Sequence, residues 1–273
     1  MMHESAIFWL RVATVLYSIG LIHAILVLVK RKTVLFRYAQ PAFTAAALFH
    51  FVSIVETTMA VGRLPVDNFF EAVSLCALLI SGAYLILFWR YHFASLSLFI
   101  FPLVFLMSQL GAMETPVASW PNSGVRDAWL FAHVATVLLG YVGLLVTALA
   151  SIFYLVQERQ LKSKRPERFF DRLPPLATLD NLITNSMTFG FVFITIGVIA
   201  GSAWAFIESG TSWIADPKIA ISLFTWVFCL LMVFLRASAG LRGRKAALMA
   251  ITVLGCSALT WAAHVGLRSL ILR

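Results

Sequence analysis

Four of the six histidines in this chain, His23, His50, His133 and His264, lie inside long apolar runs. A neutral imidazole at membrane depth has two uses. Its ring lone pair can bind a metal, or the ring can hydrogen-bond a neighbouring helix and do nothing else. His3 and His92 stand near run ends and read as solvated. The second chemical marker is the polar loop 201–226, GSAWAFIESGTSWIADPKIAISLFTW, framed by Trp204, Trp213 and Trp226 and holding Asp216, Pro217 and Lys218. Trp favours the membrane–water boundary, where its ring is buried and its N–H stays wet. Three together suggest a flat aromatic shelf suited to a flat, amphipathic ligand. An ordinary interfacial belt has the same composition.

The elements that must position these residues are transmembrane helices. The chain has 273 residues, 61% hydrophobic and 12% charged, far more apolar than a soluble fold needs. Eight runs are long enough for about 30 Å of hydrocarbon. They lie near residues 5–29, 41–61, 69–89, 93–110, 128–156, 186–207, 219–235 and 246–267. The fourth and seventh are short, and Pro102 is a potential kink in the fourth. The expected architecture is all-α, a single eight-helix transmembrane domain over residues 1–273. The first run is too long for a cleavable signal, barely basic at its flank, and has no small-residue cleavage site after it.

The net charge of +9 carries topology rather than nucleic-acid binding. Fifteen of the twenty-one Lys and Arg fall in alternate loops, at 30–37, 90, 159–172 and 236–245. The positive-inside rule makes that side cytoplasmic and turns both termini and the tryptophan loop outward, across a bacterial-type inner membrane. The basic connection 157–172 is expected to lie on the anionic inner leaflet. Cys76, Cys229 and Cys256 all sit in apolar runs and read as small core residues. With no C-x-x-C there is no thiol–disulfide chemistry, and with no C-x-x-C-H the chain does not attach haem to itself.

This topology brings the markers to one level. His133 lies about six residues below the outer face and His264 about three residues from the outer end of its run, both within roughly 10 Å of the boundary. Two imidazoles near an aromatic shelf could be axial ligands of a non-covalent, b-type haem. Cations are scarce on the outer side, so Arg126, Lys218 and Arg268 are candidates for the propionates, or are solvated or snorkelling end residues. His23 and His50 share a depth in the inner half. They could hold a second haem or serve as structural hydrogen-bonding groups.

The loop resembles the tryptophan-rich "WWD" segment of the cytochrome c assembly family, which includes CcsA, CcmC and shorter HemX-like proteins. Gly201, Trp204, Ala205, Gly210, Trp213, Asp216, Pro217, Lys218, Thr225 and Trp226 match its pattern without a gap. Residues 62–72, GRLPVDNFFEA, are similar to the family's G-x-x-P-x-x-x-x-x-E-S stretch. Trp129 and His133, followed by Gly140-Tyr141, resemble its W-x-x-x-H-x6-G-Y helix. The resemblance implies haem binding or movement at the outer face, with His133 as the outer ligand. The family's second outer histidine, in a G-L-H-S ending, is replaced by Arg268, with His264 one turn earlier. Ala215 replaces the second Trp of W-x-W-D, and Ile219 replaces the Glu after D-P-K. These departures and the short length resemble the HemX-like branch.

The expected function is therefore haem handling in cytochrome c maturation or haem supply, as a possible component of a haem lyase system. The expected partners are haem, the bilayer, apocytochrome c and a second membrane subunit that keeps its thiols reduced. Two other classes stay open: a non-catalytic, HemX-like regulator of haem synthesis, and a b-type haem subunit passing electrons across the membrane.

Overall fold

The computed structural model describes residues 2–30, 36–62, 64–66, 69–92, 96–113, 124–163, 173–209 and 217–271. Side chains are described for a subset of these. Eight helices and no strand occur among the described residues: α1 (Met2–Lys30), α2 (Phe36–Val61), α3 (Phe69–Tyr91), α4 (Ser97–Gly111), α5 (Gly124–Ser163), α6 (Leu176–Ser209), α7 (Pro217–Ser238) and α8 (Arg244–Ile271). In a bilayer, helices satisfy every backbone polar group within one segment, which is why an apolar chain of this kind folds as helices throughout. Five of the described helical segments are long and apolar enough to cross: Ser5–Leu26, Arg37–Val61, Phe70–Tyr91, Ala128–Ser163 and Leu176–Ala205. The protein is a multi-pass membrane protein. α4 has 15 residues, about 22 Å at 1.5 Å per residue, shorter than the hydrocarbon core.

Several helices overrun the apolar windows read from sequence. α6 begins at Leu176, ten residues before the apolar run at Ser186. Its first turns carry Asp180 and Thr184, which hydropathy reads as a connection. Arg236 of α7 reaches back to them: Nη2 donates to Asp180 Oδ1 at 2.9 Å, to the Asp180 carbonyl at 3.0 Å and to Thr184 Oγ1 at 2.6 Å. A partnered polar turn continues the helix where hydropathy alone sees an end. Gly62, just past the end of α2, has a φ of +73°, and its N–H closes the last turn on the Thr58 carbonyl at 2.9 Å.

The helices form two compact units, α1–α4 and α5–α8. In the first, α1 packs on α2, α3 on α4, and α1 also meets α4. Its centre is aromatic: Phe43 stacks on Phe101 with centroids 4.1 Å apart, and Tyr17 and Tyr84 meet Phe43 at 5.1 and 5.2 Å. All four rings are buried.

In the second unit α6 lies between α5 and α7, and α8 packs on α5 and α7. The α5–α6 seam is built on glycine. A Cβ on Gly143 would come within 2.7 Å of Gly190 Cα, and one on Gly140 within 2.4 Å of Ile194 Cγ1. Small residues let membrane helices approach backbone to backbone, where dispersion rather than the hydrophobic effect drives association. Thr147 Oγ1 and Ser186 Oγ, 2.8 Å apart, cross the same seam.

Candidate functional site

The glycine seam carries His133 into contact with α6. His133 Nδ1 lies 2.8 Å from the Gly197 carbonyl oxygen. A carbonyl only accepts, so Nδ1 bears the proton and Nε2 of the neutral ring bears the lone pair. One turn further along α6, Gly201 leaves the space the ring occupies. A Cβ there would stand 2.5 Å from His133 Cε1 and 2.9 Å from Nδ1. Beyond it, Trp129 Nε1 donates to the Ala200 carbonyl at 2.8 Å. The imidazole is thus fixed in tautomer and orientation by two backbone features of α6. That is how a protein holds a metal-binding histidine, with the ring N–H anchored on an acceptor and the other nitrogen presented.

Trp204 lies on the stripe of Gly197 and Gly201, three residues past Gly201, and is half-buried. Trp226 comes from α7 to an adjacent face of α6. Its Nε1 donates to Thr195 Oγ1 at 2.9 Å, and its ring lies 6.1 Å from Phe191. Thr195 is two residues from Gly197, so Trp226 meets α6 about 3 Å in axial rise from the level of His133. Trp204, nine residues past Thr195, stands roughly 13 Å in axial rise from the level of Trp226 and about 10 Å from that of His133. The two rings meet α6 at successive depths rather than as one plane. Trp213 and Asp216 lie outside the described residues. Lys218, Arg126, His264 and Arg268 are placed as backbone on α7, α5 and α8, with side chains outside the description.

His50 and His23 belong to the first unit. His50 on α2 is fully buried, and both its ring nitrogens have partners: Nε2 lies 3.0 Å from Ser74 Oγ and Nδ1 lies 3.4 Å from Tyr17 Oη. His23 on α1 is half-buried, bonds the Ile19 carbonyl of its own helix at 2.9 Å and has Tyr38 at 6.2 Å between ring centroids. His92, exposed with φ 51°, ends α3 as a capping residue. Two features escaped the sequence reading. The Gly197 carbonyl is a backbone group with no residue signature. Glu71, 5% exposed on α3, entered the sequence reading only as the Glu of the family-like 62–72 stretch, with no sign of its burial.

The chain is thus a multi-pass helical membrane protein that holds the half-buried His133 against α6 across a glycine seam. The family described as Cytochrome C assembly protein matches residues 40–269, and the chain belongs to it. Among similar proteins is the cytochrome c biogenesis protein CcsA of Prochlorococcus marinus (strain MIT 9312), 29% identical over 212 residues, 69% of each chain. The CcsA of Heterosigma akashiwo is 26% identical over 220 residues, 68% of each chain. That of Chlamydomonas reinhardtii is 27% identical over 198 residues, covering 69% of this chain and 54% of the relative. No solved structure matches the chain.

Proposed function

We propose that this protein binds haem at the outer face of a bacterial-type cytoplasmic membrane and serves cytochrome c biogenesis. The observation that carries the reading is the Nδ1–H···O=C bond from His133 to Gly197, which leaves Nε2 as a presented lone pair. Family membership and the similarity to CcsA cytochrome c biogenesis proteins support the process. A bound haem would supply iron as the Lewis acid for that nitrogen and a wide ring for apolar contact. His133 orients the cofactor, Gly197 holds the proton on Nδ1, Gly201 admits the imidazole, and Trp204 and Trp226 offer apolar walls. Lys218, Arg126 and Arg268 are the cations proposed for the propionates, with Trp213 and Asp216 shaping the loop.

His264 is the proposed second ligand. Tyr154 Oη of α5 lies 3.4 Å from where a Gly243 Cβ would stand, just before α8 begins. Twenty-one residues separate Tyr154 from His133, and twenty-one separate Gly243 from His264. On helices that run antiparallel, equal counts reach one level, to within about a turn. Arg268 then lies one turn further out.

Absorption spectroscopy of the purified protein after expression with haem supply tests the reading. A Soret band that His133→Ala abolishes or shifts, and His92→Ala leaves alone, is the expected result. Equal haem content in wild type and His133→Ala would sink it. A second reading, a HemX-like regulator without lyase activity, is favoured by Ala215, Ile219 and Arg268 in the places of family Trp, Glu and His. Complementation of a strain lacking holocytochrome c separates the two: rescue identifies the assembly factor, and haem binding without rescue identifies the regulator.

A further inference from the structure

In the first unit, α1 and α4 leave an open-sided groove between them, with a volume of about 370 Å³. Arg11, Thr14, Val15 and Ser18 of α1 form one wall, a single stripe at i, i+3, i+4 and i+7. Phe105 and Gln109 of α4, with Ala112 just past its end, form the other. The N-terminal end of α1 lies beside the C-terminal end of α4, because Ala6 and Leu10 share a pocket with Gly111 and Ala112. Arg11 stands six residues inside the apolar segment Ser5–Leu26, about 9 Å in axial rise from its start.

The polar groups of this groove lack acceptors. Among the described residues, neither the Arg11 guanidinium nor the Gln109 amide has a hydrogen-bond or ion-pair partner. Thr14 Oγ1 donates to the Leu10 carbonyl at 2.8 Å, and Ser18 Oγ to the Val15 carbonyl at 2.6 Å, so both hydroxyl protons are committed to α1 itself. The described carboxylates of the unit are turned elsewhere. Glu56 of α2 accepts from Ser5 Oγ at 2.7 Å and from Trp9 Nε1 at 3.1 Å. Glu71 of α3 lines a different pocket, and α4 carries no charged residue. The C-terminus of α4 contributes about half a negative charge, which leaves the guanidinium short of a full counter-charge.

We infer that this groove binds an anionic phospholipid, with its phosphate on Arg11 and Gln109 and an acyl chain laid along Val15 and Phe105. The guanidinium presents a planar fork of N–H groups that matches phosphate oxygens, and the Gln109 amide adds a neutral donor. In hydrocarbon an unmet donor is costly, and a phosphate meets both at once. A zwitterionic headgroup carries its own cation and brings no net charge to Arg11. The short α4 supplies a second, independent reason. A helix shorter than the hydrocarbon core draws the headgroup region inward at its ends, and Arg11 shares the groove with Ala112 at one such end. Deeper in the groove, a second helix would look for donors from Thr14 and Ser18 and find none, whereas an acyl chain needs none. Val15, 59% exposed, is available to it. The site belongs to the first unit and is independent of the proposed haem ligands.

The test counts bound lipid by native mass spectrometry of the purified full chain in detergent, titrated with dioleoyl phosphatidylglycerol or dioleoyl phosphatidylcholine. The wild type should hold one phosphatidylglycerol more tightly than any further copies. Arg11→Gln should weaken that binding about tenfold, the effect of losing a charge-assisted hydrogen bond. Arg11→Lys, which keeps the charge without the fork, and Gln109→Leu should each weaken it less. Arg242→Gln, at an exposed cation of the second unit, should leave it unchanged. Cooperative melting of each variant in lipid-free detergent shows that it is folded. Equal affinity for the two lipids, or equal phosphatidylglycerol affinity in wild type and Arg11→Gln, would overturn the inference. So would loss of a co-purifying membrane protein from Arg11→Gln with lipid binding intact, which would give the groove to a partner helix. Should Arg11→Gln fail to fold, Arg11→Lys and Gln109→Leu decide, and unchanged lipid affinity in both would overturn it.

Discussion

Gly201 has no side chain where His133 needs its ring, and that single omission sets the geometry of the imidazole. The clash falls between a backbone-anchored Cβ and a ring whose Nδ1 is tied to Gly197, so neither partner can swing away cheaply. We expect Gly201→Ala to lower haem affinity about tenfold, as loss of an outer-shell constraint on a metal ligand does. Haem titration followed at the Soret band checks this, and unchanged affinity would show that the ring has a second resting place. On α8 the two candidates differ in kind. An imidazole can give iron a lone pair and a guanidinium cannot. His264→Ala should therefore change the ligation seen in the visible spectrum, whereas Arg268→Ala should weaken retention with the coordination unchanged. A spectrum indifferent to His264→Ala would leave the iron with one histidine.

At the scale of elements, two devices hold the second unit. One is the α5–α6 seam, where Gly143 and Gly190 meet backbone to backbone. Gly143→Leu has no cavity to fill, so it must part the helices; a loss of about 3 kcal/mol is expected, measured by denaturant or thermal midpoint in detergent. The other is Arg236, with its side chain 5% exposed, clamped on Asp180. Removing one member of a buried pair strands the other, and Arg236→Ala should cost about 3 kcal/mol. Arg242 approaches the same carboxylate at 3.9 Å but is 78% exposed. Arg242→Ala is expected to stay within about 0.5 kcal/mol, because solvent screens exposed pairs. Equal losses in the two variants would mean that Asp180, and not the buried geometry, governs the joint.

For the whole molecule, the distribution of basic residues argues for a direction across the membrane. With fifteen of twenty-one Lys and Arg in alternate loops, Ser163→Cys should resist an impermeant thiol reagent in intact cells and Ser209→Cys should react. Labelling of Ser163→Cys from outside would invert the proposed orientation and put His133 near the inner face. The short α4 bears on the same question. At 15 residues it does not span the core unaided, so its ends depend on neighbouring helices for their polar groups.

Membrane character, the all-helical class and the family were legible in the chain itself. Hydropathy is a sum over neighbours in sequence, and the tryptophan loop, the 62–72 stretch and the helix of His133 are local patterns. Helix ends were less legible. The start of α6 depends on Arg236, which stands fifty-six residues away from Asp180, and no local window contains that partner. The histidines show the division most sharply. As letters, His50 and His133 are alike: one imidazole each, inside an apolar run. Tertiary structure gives His50 two hydroxyl partners and gives His133 one carbonyl, leaving its other nitrogen to be presented. Which lone pair remains depends on what the neighbouring helix places opposite each nitrogen, and that is a property of packing rather than of residue type.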